Sequence, residues 1–221
     1  EQASTGNILD RRRLSARRPC VPVRRARPLP YRYQPMKTSD IVAIQKKVGT
    51  TPDGFWGPKS ITACQVYLRS LMPVPNPWPG TSQSELTDFY GKAGDESRLT
   101  NLNVEGLGLK YEGRAVKTVR CHAKVAESLH RVLAALAGTH PEILAQYAGC
   151  YNNRIMRGGS LPSLHARGAA IDLDPDPNDN HTSWPSVAVM PFDIMEAFSK
   201  EGWVSAGAFW GRDAMHFQAT R

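Results

Sequence analysis

Two histidines and one aspartate in the last third of the chain stand out by their neighbours. His165 lies in Ser163-Leu-His165-Ala-Arg-Gly168-Ala-Ala170-Ile-Asp172, a loop crowded with small residues that leads into a strand. His216 lies in Met215-His-Phe-Gln218, where polar and apolar residues alternate. Period-two alternation puts Asp172 and Asp174 on one strand face with Ile171 and Leu173 on the other, and sets His216 opposite Met215 and Phe217. Two imidazoles and one carboxylate that converge, with a fourth position left open, are how a catalytic zinc is held. A zinc so held polarises a carbonyl and makes hydroxide accessible near neutral pH. One Zn2+ per chain is the expectation. For His122, His130, His140 and His181, packing or a surface position is the default.

The elements that must position these residues are legible in outline. Residues 1–35 hold five prolines and clustered arginines without apolar periodicity, and read as a basic disordered tail. Residues 36–71 read as a small helical module. Ser39 is the expected cap of a helix with Ile41, Ile44 and Val48 on one face, and Pro58 opens a second with Ile61, Cys64 and Leu68. Residues 72–84 alternate proline with small and polar residues and read as a stiff linker. Residues 85–221 are mixed. A long helix carries Val125, Leu129, Val132, Leu133 and Leu136 and ends near Gly138; another opens at Pro191 and stops at Gly202. The expected class is α+β, a small antiparallel sheet and helices forming a half-open cleft.

Charge and cysteines bound the partners. The net charge of +8 is concentrated in residues 1–35, where nine arginines face Glu1 and Asp10, so the rest of the chain is nearly neutral. A specific nucleic-acid surface on the folded part is therefore not expected. No apolar run is long enough to span a membrane. The cysteines 20, 64, 121 and 150 form no C-x-x-C pair, which speaks against a finger-type zinc site and fits thiols that fill core space; a Cys121–Cys150 bridge stays open. A monomer is expected.

The blocks Ser-x-His-x-x-Gly-x-Ala-x-Asp at 163–172 and Asp-x-x-His at 213–216, with the upstream stretch 149–159 around Arg154, resemble the zinc D-alanyl-D-alanine carboxypeptidase and L-alanyl-D-glutamate endopeptidase family, which includes phage endolysins. The resemblance covers about residues 85–221. It implies that His165, Asp172 and His216 are the zinc ligands and Asp213 the general base. It further implies that Arg154, with Arg157 as a competitor, steadies the developing oxyanion, and that Ser163 supports the metal site from behind. The chemistry suits these types, since a carboxylate beside the attacking water can take its proton and a fixed guanidinium compensates an oxyanion. Strict alternation would put Asp213 opposite His216, so it must lie in a turn, for which Trp210-Gly211-Arg212 is suited. Gln218 departs from the pattern, where relatives often carry an acid.

In residues 37–71, Ile44-Gln45, Asp53-Gly-Phe-Trp-Gly-Pro58 and Thr62-Ala63 resemble a peptidoglycan-binding repeat. Together the two resemblances imply a zinc peptidase acting on stem peptides at the bacterial cell wall, made in the cytoplasm and released or exported by a route the sequence does not show. An L-alanyl-D-glutamate endopeptidase is the first expectation. The alternatives are a D-alanyl-D-alanine carboxypeptidase and a non-catalytic wall-binding protein.

Overall fold

The computed structural model describes residues 36–221; the arginine-rich tail and Cys20 lie outside the described residues. Helix α1 (Thr38–Lys47) begins where the Asp40 carboxylate accepts the Lys37 backbone N–H at 3.0 Å. The cap is thus Lys37 with Asp40, and Ser39 falls inside the first turn, because an acid at that place both closes the turn and faces the positive helix end. Pro58 opens α2 (Pro58–Leu71), whose missing N–H costs nothing there. Cys64 and Leu68 of α2 are fully buried, but Ile61 is 38% exposed. The inward stripe is rotated toward Ser60, because Ser60 serves the loop joining the two helices.

That loop is tied around one amide. Gln45 is fully buried, and the two hydrogens of its Nε2 are shared among Asp53 Oδ1 (2.8 Å), the Phe55 carbonyl (3.0 Å) and Ser60 Oγ (3.0 Å). Its Oε1 accepts the Gly54 N–H at 2.8 Å. Gly54 has φ +76°, and a Cβ there would sit 2.4 Å from Thr38 Cγ2. The Gln…Asp-Gly pattern therefore has a structural cause, since a buried amide left unbonded costs about 1–3 kcal/mol.

The remainder is mixed α and β, as expected. Ser82 caps α3 (Gln83–Tyr90). Strand β1 (Leu99–Asn103) precedes a short hairpin, β2 (Lys110–Tyr111) with β3 (Arg114–Ala115). Then β4 (Thr118–His122) returns antiparallel to β1. His122 caps α4 (Ala123–Thr139): its Nδ1 accepts the Lys124 N–H, so Nε2 donates to the Tyr90 carbonyl at 3.0 Å. After α5 (Pro141–Leu144) come β5 (Tyr147–Gly149), β6 (Ala170–Leu173), α6 (Pro175–Asn178), α7 (Phe192–Lys200), β7 (Val204–Ser205), α8 (Ala206–Trp210) and β8 (His216–Gln218). Four of these strands form an antiparallel sheet in the order β5-β6-β8-β7.

Helices α4 and α7 close the apolar side of that sheet. Phe198 of α7 stacks on Phe217 with centroids 3.9 Å apart, and Trp203 Nε1 donates to Ser128 Oγ of α4 at 2.9 Å. All four residues of β6 are buried, so its polar side is the floor of a cleft and not an open face. Asp174 does not continue the strand: it turns into the left-handed region at φ 51°. Cys64, Cys121 and Cys150 are free and buried, and burial pushes the Cys64 and Cys121 thiols up to about 12. Among the described residues no helix is long and apolar enough to cross a membrane.

Helix α2 lies against α7 and α8. Glu196, buried on α7, accepts from Tyr67 Oη at 2.7 Å and pairs with Lys47 Nζ at 2.6 Å. Gln65 Nε2 donates to the Ala208 and Phe209 carbonyls at the end of α8, and the Arg69 guanidinium lies 4.9 Å from the Phe209 ring centroid. Trp56 meets Trp184 edge to face at 5.2 Å. The Pro-rich stretch is pinned along its length. Asn76 Nδ2 and Trp78 Nε1 donate to the Gly202 and Glu201 carbonyls, and Arg221 N–H donates to the Pro79 carbonyl.

Candidate metal centre

His165 enters the site from a short 3-10 turn, Leu164–Arg167, that starts at Ser163 and ends at Gly168. Ser163 is buried, and its Oγ accepts the His165 N–H at 3.3 Å, which fixes the start of the turn. Gly168 has φ +64°, and a Cβ there would meet the His122 backbone nitrogen at 2.7 Å. The chain can therefore double back only through glycine, straight into β6. In the β6–β8 ladder Asp172 stands directly opposite His216. One turn and one strand register thus bring three residues to one place.

Their facing atoms make a nearly regular triangle. His165 Nε2 is 3.2 Å from Asp172 Oδ1 and 3.1 Å from His216 Nδ1, and the latter is 3.0 Å from Asp172 Oδ1. The far ring nitrogens settle the tautomers. His165 Nδ1 lies 2.6 Å from the Cys150 carbonyl and His216 Nε2 lies 3.1 Å from Gln218 Oε1, and both partners can only accept. Gln218 is oriented in turn, since its Nε2 donates to Thr220 Oγ1 at 2.8 Å. With both neutral rings protonated on the far side, two lone pairs and a carboxylate oxygen face one another with no donor between them.

Three buried acceptors in contact need a cation or a shared proton. The edges of a tetrahedral zinc site with bonds of roughly 2.0–2.1 Å measure about 3.3–3.4 Å, close to the observed triangle. The donor set of two imidazole nitrogens and one carboxylate oxygen fits zinc as well. Without a metal the same closeness acts on the protons. Burial alone would raise the Asp172 carboxyl, yet once a proton is shared inside the triangle, hydrogen bonds and charge from His165 and His216 hold it far below the usual carboxylate range. Burial would lower the His216 imidazole, but Asp172 beside it raises it.

The triangle borders a cleft of about 920 Å³. Asp213 lines it from a left-handed turn (φ 58°) just before β8, and its carbonyl accepts the His216 N–H at 2.9 Å. Asn178 holds this turn from behind: its carbonyl takes the Met215 N–H, and the Asp179 carbonyl takes that of Asp213. Asp213 Oδ1 is buried without a hydrogen-bond partner, and burial pushes its carboxyl above the usual range. Arg154 and Arg157 line the same cleft from an outlying hairpin in which Ile155 pairs with Pro162. Arg154 Nη1 is 3.4 Å from the Ile155 carbonyl, whereas Arg157 is the arginine whose charge reaches Asp213.

Residues 157–219 match a family model described as D-alanyl-D-alanine carboxypeptidase. The matched span is under a third of the chain, and it holds Arg157, Ser163, His165, Asp172, Asp213 and His216, with Arg154 just outside it. Comparison with curated proteins and with solved structures gives no match. The family match supports a hydrolase of the zinc peptidase class that acts on peptidoglycan, with zinc implied by the family and consistent with the His-Asp-His triangle.

Sequence reasoning missed two contributors. The Cys150 carbonyl is a backbone group, which no side-chain pattern reveals. Trp210 stacks on His216 with centroids 5.8 Å apart and rings 27° from parallel, a contact made across a turn. Gln218, which the sequence singles out as a departure from the pattern, shares a strand face with His216 two residues away. It supplies the acceptor for the outer ring nitrogen of His216. Gln218→Leu should therefore weaken metal binding by about 10–100-fold, the usual effect of removing such a supporting partner, while Gln218→Glu should preserve it. Competition against a chromophoric chelator measures this; equal affinity in wild type and Gln218→Leu would remove Gln218 from the site.

Proposed function

We propose that this protein is a zinc peptidase that cuts stem peptides of bacterial peptidoglycan, with His165, Asp172 and His216 as the metal ligands. The observation that carries the reading is the triangle of three buried acceptors 3.0–3.2 Å apart, whose outer atoms are held by Cys150 and Gln218. A zinc ion bound there supplies Lewis acidity for the scissile carbonyl and a nucleophile at neutral pH. Asp213 is the general base: its carboxylate takes a proton from the attacking water and delivers it to the leaving amine as the C–N bond breaks. Its orphaned oxygen and raised affinity for a proton suit that exchange. Arg154 or Arg157 meets the charge that gathers on the carbonyl oxygen. Ser163 positions His165 through the backbone.

The bond cut is proposed to be L-alanyl-D-glutamate, which makes the enzyme an endopeptidase of the endolysin kind. Besides the large cleft, a second one of about 350 Å³ reaches His165 and Asp172, and Asp172, Arg154 and Arg157 line both. A substrate that can extend on both sides favours this over a terminal carboxypeptidase. In the same reading residues 36–71 are a peptidoglycan-binding module, 72–84 its connection and 85–221 the peptidase domain. The rigid loop around Gln45 displays Phe55, 72% exposed, on the module surface. Digestion of a defined disaccharide-pentapeptide followed by mass spectrometry tests the bond. A new amino-terminal D-glutamate peptide is the expected product; release of one alanine alone would assign the carboxypeptidase instead.

A further inference from the structure

The large cleft is not the only approach to the metal ligands. A second cleft of about 350 Å³ reaches His165 and Asp172 from the side of β5. Its volume lies within the range of small-ligand sites, about 300–1,000 Å³. Asp172, Arg154 and Arg157 line both clefts, so the two meet at the ligand triangle.

The lining of the second cleft differs in kind. Tyr111, Tyr147 and Tyr151 contribute rings, and Tyr111 remains 48% exposed although its ring packs edge to face on Tyr147 at 6.5 Å. The charge of Arg120 is closed locally, because its Nη2 pairs with Glu96 Oε2 at 2.5 Å and its guanidinium lies 5.4 Å from the Tyr151 ring centroid. Tyr151 Oη donates to the same Glu96 at 3.1 Å. Beyond the junction arginines the cleft thus offers aromatic faces and neutral hydrogen-bonding groups, including Asn152. That chemistry suits an uncharged ring with an apolar face and hydroxyl or amide groups at its rim.

We infer that the tyrosine-lined cleft binds the N-acetylated amino sugar that carries the stem peptide. The inference rests on the proposed peptidoglycan reading and deepens it. Adjacency supplies the specificity. His165 and Asp172 themselves line this cleft, so a sugar held in it puts the first bonds of its attached peptide at the triangle, at a reach of at most about 3.3–3.6 Å per extended residue. A bond one residue from the sugar is reached; a bond at the far end of a pentapeptide is not.

Binding of N-acetylmuramoyl-L-alanine by the zinc-loaded full chain, followed by calorimetry against L-alanine alone, tests this without relying on catalysis. Wild type should bind the amino-sugar compound, Tyr111→Ala should weaken it about tenfold, and Tyr111→Phe, which keeps the ring, should restore most of the affinity. Tyr111→Ala should likewise lower the ratio of kcat/KM for a disaccharide-linked peptide over the sugar-free peptide, through KM, and Tyr111→Phe should leave that ratio nearly unchanged. Absence of binding by folded wild type, or an equal effect of Tyr111→Ala on both substrates, would overturn the subsite. If the sugar compound binds as described but neither peptide is cut, the subsite stands and the peptidase reading fails.

Discussion

His165→Ala and His216→Ala should each lose most of the bound zinc, with affinity falling by more than roughly 100-fold, the upper range for removing a mere supporting partner of a ligand. Each substitution removes one corner of the triangle and leaves Asp172 buried beside a single imidazole. An alanine at 165 also frees the Cys150 carbonyl, and one at 216 frees Gln218 Oε1. Some loss of stability should therefore accompany the loss of metal, on the order of 1–3 kcal/mol for a buried acceptor left unbonded. Metal analysis after dialysis, with circular dichroism to confirm folding, separates the two effects. Full zinc occupancy in both folded variants would sink the ligand assignment.

Asp213→Asn should keep the metal and the fold yet lose turnover by about 10²–10⁴-fold, the range for a positioned acid–base group. The backbone tolerates the change, because asparagine accepts the left-handed conformation that Asp213 adopts at φ 58°. Stability should hold or rise, since a neutral amide replaces a buried carboxylate oxygen that has no partner. The loss belongs in kcat more than in KM, as proton transfer is part of the transition state and not of substrate binding. Steady-state kinetics on a soluble muropeptide measures it. A folded, zinc-loaded Asp213→Asn enzyme with near wild-type turnover would show that another group moves the proton.

Short-range rules only suggested that His165, Asp172 and His216 converge, and the resemblance singled them out as a set; the structure brings the three together. Alternation put Asp172 and His216 on polar strand faces, and the run of small residues around Gly168 pointed to a chain that doubles back. What alternation could not give was depth. It led to a half-open sheet lining a cleft, but not to the fact that all four residues of β6, which lies between β5 and β8, are buried. Asp213 was placed by resemblance and by the need for a turn; the turn itself depends on Asn178 and Asp179, more than thirty residues earlier.

The helical module shows the same division. Pro58 announced α2 correctly, yet Ile61 points outward, because the face of α2 is set by Gln45, α7 and α8 and not by its own periodicity. The Pro-rich stretch 72–84 has the composition of a stiff linker, which does not tell that Asn76 and Trp78 find backbone partners at residues 202 and 201. Such pairings join parts of the chain more than a hundred residues apart. The second cleft was invisible for a similar reason, since its tyrosines come from β2, β5 and the segment after β5 and meet only in the folded chain.

The most direct measurement of the account is the digestion of purified peptidoglycan by the full chain, read by mass spectrometry with and without a chelator. The account predicts new peptide ends that vanish with the chelator and return when zinc is restored, while Asp213→Asn stays inactive with zinc bound. Cleavage that persists in a chelated protein shown by metal analysis to be free of zinc would contradict it.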